Sequence, residues 1–90
     1  MDNDATARDW RRRGFSCDVW SDPPGQVWAD FVHAQDEMVM LLDGEIELSF
    51  GGKVLRPAPG ETILIPAGES HTVTNVVTTR NHWLYGYRQV

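Results

Sequence analysis

Two segments decide how this chain folds: GQVWADFVHAQDEMVMLLDG at residues 25–44 and GETILIPAGESHTVTN at residues 60–75. The first carries His33 and Glu37, four residues apart, and the second carries His71 three residues after Gly68 in the turn-like run Ile65-Pro66-Ala67-Gly68. Along a β-strand every second side chain projects from the same face, so His33 and Glu37 can point into one cavity. Phe31, two residues before His33, falls on that face too. Two neutral imidazoles and a carboxylate are a common ligand set for zinc, iron, manganese or nickel.

Outward from these segments, nearly everything after Gly14 reads as β. Short runs at 15–20, 27–33, 37–42, 45–50, 54–56, 62–65, 71–77 and 82–88 have strand character. Turn signals such as Asp22-Pro23-Pro24-Gly25, Asp43-Gly44, Gly51-Gly52 and Pro57-Ala58-Pro59-Gly60 separate most of them. Many short strands without a second helical pattern predict an all-β sandwich or barrel. One short helix is predicted over 4–13, with Asp4 as N-cap and Gly14 as the C′ glycine. The chain divides into an N-terminal helical segment, 1–14, and a barrel, 15–90.

Strand parity assigns faces. If His33 and Glu37 point inward, so do Val27, Ala29, Phe31, Val39 and Leu41, while Trp28, Asp30, Val32, Met38, Met40 and Leu42 point the other way. That second face is too apolar for open water and must be covered, by the N-terminal segment or by another copy. A homodimer through Trp28, Val32, Met38 and Met40 is the expectation. Trp83, Tyr85 and Tyr87 alternate on one face of the last strand, where they can pack in the core or line a pocket. His82 begins that strand at a hairpin end, a surface position.

Composition narrows the function classes. Ninety residues make one domain, near the lower size limit for burying a core. The net charge of −5 is uneven. Arg8, Arg11, Arg12 and Arg13 face Asp2, Asp4 and Asp9 in the first thirteen residues, and the rest of the chain holds four basic residues against ten acidic ones. Such a body repels phosphate backbones, and three consecutive arginines fall short of a nucleic-acid patch, so no nucleic-acid partner is expected. No apolar run reaches the ~18–20 residues that cross a bilayer, and no secretory h-region opens the chain, so no membrane partner is expected either. The one cysteine, Cys17, fits a reducing, cytoplasmic setting.

The two segments resemble the motifs of the cupin superfamily. The first motif is Gly, five residues, His, one residue, His, three or four residues, Glu, six residues, Gly. Gly25, Phe31, His33, Glu37 and Gly44 occupy those places, with Phe31 in place of the first histidine. The second motif is Gly, five residues, Pro, one residue, Gly, two residues, His, three residues, Asn, and Gly60, Pro66, Gly68, His71 and Asn75 match it throughout. The resemblance implies a small single-domain monocupin, a jelly-roll β-barrel holding one divalent metal at its mouth. His33, Glu37 and His71 would be ligands, the glycines and Pro66 turn formers, and Asn75 not a ligand.

The expected site is therefore a three-ligand centre walled by Phe31, Leu41, Phe50, Val73, Trp83 and Tyr85. Its metal would be Zn, Fe, Mn or Ni. A metal-dependent enzyme acting on a small organic acid, carbonyl or phenolic compound is one expectation. A non-catalytic module that binds or senses a small molecule, with or without metal, is the other. The competing reading of the three residues is a hydrogen-bonded histidine–glutamate cluster in a metal-free cavity. An apolar interior penalises an unpaired carboxylate by several kcal/mol, which favours a cation there.

Overall fold

The helix α1 (Asn3–Arg12) ends where its hydrogen bonds run out into a left-handed glycine. Gly14 has φ +88°. Its N–H donates to the Arg11 carbonyl at 3.0 Å and that of Phe15 to the Trp10 carbonyl at 2.8 Å, the two bonds of a Schellman cap. The helix starts one residue before the predicted N-cap, so Asp4 lies in the first turn, where its charge complements the helix dipole. The computed structural model describes residues 3–76 and 78–89. Met1, Asp2, Val90 and Val77, the last residue of the predicted seventh strand, lie outside them.

Eight strands follow: β1 (Asp18–Trp20), β2 (Val27–Phe31), β3 (Glu37–Asp43), β4 (Glu47–Phe50), β5 (Lys53–Leu55), β6 (Thr62–Ile65), β7 (His71–Thr74) and β8 (His82–Tyr87). They form two antiparallel four-stranded sheets, ordered β1-β8-β3-β6 and β2-β7-β4-β5. The architecture is all-β and jelly-roll-like, with α1 the one helix among the described residues. Val39, Leu41, Ile46, Leu48, Ile65, Val73 and Trp83 fill the space between the sheets. No helix of the described residues is long and apolar enough to cross a membrane.

The outer face of the first sheet is covered from within the chain. Met38, Met40 and Leu84 pack against Trp10 of α1 and against Phe15. Gly86 makes this possible, because a side-chain carbon there would collide with the Ser16 carbonyl and crowd the Trp10 ring. Met38 and Met40 are buried beneath the helix and are no part of an open face.

Trp28 corrects the parity reading as well. The β2–β7 register shifts between Trp28 and Phe31, and Asp30 takes a positive φ of 56°. This bulge adds a residue to β2, so Trp28 and Phe31, three apart, both face the cavity. Val27 and Ala29, expected inside, are exposed. Of the four residues expected to form a dimer face, only Val32 is left exposed.

Candidate metal centre

Three elements deliver the three predicted ligands to one point. Glu37 is the first residue of β3 and His71 the first of β7, while His33 sits just past β2. One ligating atom from each lies within 4.8 Å of the others. Glu37 Oε1 is 3.3 Å from His71 Nε2 and 3.5 Å from His33 Nε2. The surrounding backbone holds this geometry. The Gly68 N–H donates to the His33 carbonyl at 2.8 Å, tying the second motif's turn to the first motif. Asp36, with the opposite parity to Glu37, turns away and accepts from the Ala67 N–H at 2.8 Å and from Arg88 Nε at 3.1 Å. These two bonds hold its carboxyl below the usual range.

Electrostatics at the centre are unresolved by the protein itself. Glu37 is only 4% exposed, and its Oε1 has no hydrogen-bond partner. Burial pushes its carboxyl up to about 7. Nδ1 of His71 faces the Glu69 carbonyl at 3.2 Å, which can only accept, so the ring proton belongs on Nδ1 and the Nε2 lone pair faces Glu37. Burial, and then the neighbouring His71, lower the His33 imidazole and keep it neutral. The Tyr87 hydroxyl lies 3.3 Å from His33 Nε2. Burial, with the Glu37 and Tyr85 charges behind it, pushes Tyr87 up to about 12, so it keeps its proton.

Of the six expected wall residues, Phe31, Val73, Trp83 and Tyr85 line the cavity. Leu41 and Phe50 do not. Leu41 has the right parity but lies four residues beyond Glu37, ~13 Å along β3, and is buried in the inter-sheet core. Phe50 packs on the flank of that core with Lys53 over its ring. Phe31 pairs with His71 in the β2–β7 register, and its ring stacks on His33 at 6.0 Å. It stands beside both histidines, where the motif places another imidazole. His82 is at the surface, 2.7 Å from Asp43 Oδ1, and takes no part.

Two lining residues were not placed there by the sequence reading, Trp20 and Trp28, while Tyr87, read as packing in the core or lining a pocket, does line the cavity. Tyr87 had a signal, since it continues the Trp83, Tyr85 alternation. The tryptophans are positioned by Asp22, read from sequence only as part of a turn. Asp22 is fully buried, and its carboxylate accepts from the indoles of Trp20 and Trp28, each at 2.9 Å, and of Trp83 at 3.1 Å. Its backbone is held in turn by Asn81 and by Asn75, whose Nδ2 donates to the Asp22, Pro23 and Thr79 carbonyls. Asn75 is thus a loop clamp and is not one of the three clustered ligating residues.

Comparison with known proteins points one way. A family model for the cupin domain matches residues 18–87. A search of curated protein sequences finds no match. Among solved structures, a cupin superfamily protein from Desulfitobacterium hafniense superposes with a TM-score of 0.74 at 17% identity, over 84% of this chain and 68% of that one. A Streptococcus pyogenes protein of unknown function gives 0.72 at 26% identity, over 86% of this chain and 66% of that one. A predicted oxalate decarboxylase from Thermotoga maritima gives 0.75 at 21% identity, over 100% of this chain and 76% of that one. This chain spans about two thirds of the length of the first two.

Proposed function

The chain belongs to the cupin family, and from that premise we propose that it binds one divalent transition metal through His33, Glu37 and His71 and offers it to a small molecule. The observation that carries this is the orphaned Glu37 Oε1, buried between two imidazole nitrogens. Metal–ligand bonds of about 2.0–2.2 Å put neighbouring ligand atoms about 3–3.5 Å apart. The two Glu37–histidine separations fall in that range, so Glu37 can share one ion with each imidazole.

A bound divalent metal would supply Lewis-acid polarisation at the positions the protein leaves open. Glu37 would neutralise part of the ionic charge, and the Glu69 carbonyl orients His71 through its Nδ1 proton. Phe31 closes the side from which another histidine would bind. Tyr87, protonated and adjacent to His33, is placed to donate a hydrogen bond or proton to a molecule at the centre. That group supports the enzymatic reading, with a small organic acid, carbonyl or phenolic compound as substrate. The otherwise apolar lining supports a binding or sensing module instead. Tyr87→Phe separates them, because it would lower turnover more than affinity in an enzyme and would leave a binding module nearly unaffected.

Elemental analysis of protein purified without a metal-affinity tag tests the metal. About one divalent ion per chain, with a melting temperature lowered by chelator, is expected. Metal-free protein whose stability ignores both chelator and added metal would overturn the proposal. Pairing of two copies belongs to the same proposal, now through Val27 and Val32 on the edge strand β2 and its end, both exposed. A solution mass that stays at 10.2 kDa at every concentration removes that part.

A further inference from the structure

Six aromatic rings close into a circuit around the cavity mouth. Trp20 meets Trp28, Trp28 meets Phe31, Phe31 meets His33, His33 meets Tyr87, Tyr87 meets Tyr85, and Tyr85 returns to Trp20. Successive centroids are 4.8 to 6.2 Å apart. The circuit draws on β1, β2, β8 and the segment after β2, so no single element could supply it. It encloses a cavity of about 230 Å³, smaller than the usual drug-sized pocket. Trp20 and Phe31 remain 42% and 38% exposed at its lip, an unusual place for large aromatics without a ligand.

We propose that this circuit binds a small alkylated onium group, a quaternary ammonium or tertiary sulfonium. Charge and shape both point there. No lysine or arginine is among the lining residues. The positive N–H edges of Trp20, Trp28 and Trp83 are all drawn to Asp22, which adds a buried carboxylate behind the rings. The chain as a whole carries −5. Aromatic faces attract cations, most strongly where water is excluded. The contacts of Trp20 with Trp28 and Tyr85 are near-perpendicular, at 68° and 87°, and those of Tyr85 with Tyr87 stand at 72°. The one near-parallel pair in the circuit, Phe31 and His33 at 15°, has centroids only 6.0 Å apart and leaves no gap for a flat ring between them. Such a wall suits a rounded group touched from several sides.

The circuit does not depend on the metal reading, and the two fail separately if metal content and onium affinity are measured on one sample. Intrinsic tryptophan fluorescence is titrated with choline, with trimethylsulfonium, and with the neutral isostere of choline in which carbon replaces nitrogen. Either onium probe is expected to bind at least about tenfold more tightly than the isostere, and their relative affinities identify the preferred centre. Trp20→Leu, at the exposed lip, is expected to abolish most of that preference in protein whose fold is confirmed by its denaturant melt, and Trp20→Phe to restore part of it. Equal affinity for choline and its isostere, no response to millimolar onium, or a preference untouched by Trp20→Leu would each overturn the proposal.

Discussion

Glu37 Oε1 and His71 Nε2 lie 3.3 Å apart, and Glu37 Oε1 has no hydrogen-bond partner. The His71 proton is committed to the Glu69 carbonyl on the far side of the ring. Two lone pairs in contact inside a protein repel, unless a proton or a cation comes between them. Either can do so, and the two alternatives make opposite demands on pH.

Without metal, stability should depend on Glu37. Its carboxyl is raised from an ordinary 4.5 to about 7 in the folded chain. Between those values the native state keeps a proton that the unfolded chain has released. Stability of the metal-free protein therefore falls as pH rises from 4.5 to about 7, then levels, by at most about 3 kcal/mol. Urea melts in chelator across that range should show the slope, and Glu37→Gln should flatten it. A divalent ion should restore stability at the upper end.

Phe31→His should tighten metal binding by roughly tenfold or more, since it adds a ligand where Phe31 now stacks on His33. Competition against a chromophoric chelator measures this. Unchanged affinity in a folded variant would show that the Phe31 position cannot reach the ion.

Trp10→Ala should lose about 3–5 kcal/mol, the range for emptying a buried aromatic site. Trp10 covers Met38 and Met40 from α1, so the variant should also expose them and bind a hydrophobic dye. Denaturant melts with intact metal content distinguish this loss from damage at the site.

Asp22→Ala should destabilise by about 3 kcal/mol or more, because three indole N–H groups lose one charged acceptor. The near-ultraviolet circular dichroism of the tryptophans should collapse further than in Trp10→Ala. A near-wild-type spectrum would mean that packing alone orients the rings.

The legible part of the site was the part encoded locally. His33, Glu37 and His71 stand at motif spacings, and the structure brings their ligating atoms together. The alternation of Val39 and Leu41 with Met38 and Met40 correctly separated inner from outer faces in β3, whose pairing on both sides is regular from Glu37 to Met40. In β2 the same reasoning failed at Trp28, because the bulge at Asp30 breaks the two-residue period on which it rests. Leu41 failed differently: parity states a side chain's direction and says nothing of its depth.

The amino-acid order by itself determined the β class, the turns and the helix stop at Gly14, since each depends on residues a few positions apart, and its two motif spacings singled out the three chelating residues. The tertiary structure alone decided what covers the methionines and what surrounds the candidate metal centre. Asp22 reaches tryptophans 2, 6 and 61 residues away, and α1 meets a sheet face made by β3 and β8. Such contacts exist only after distant strands have paired, so no local period in the chain announces them.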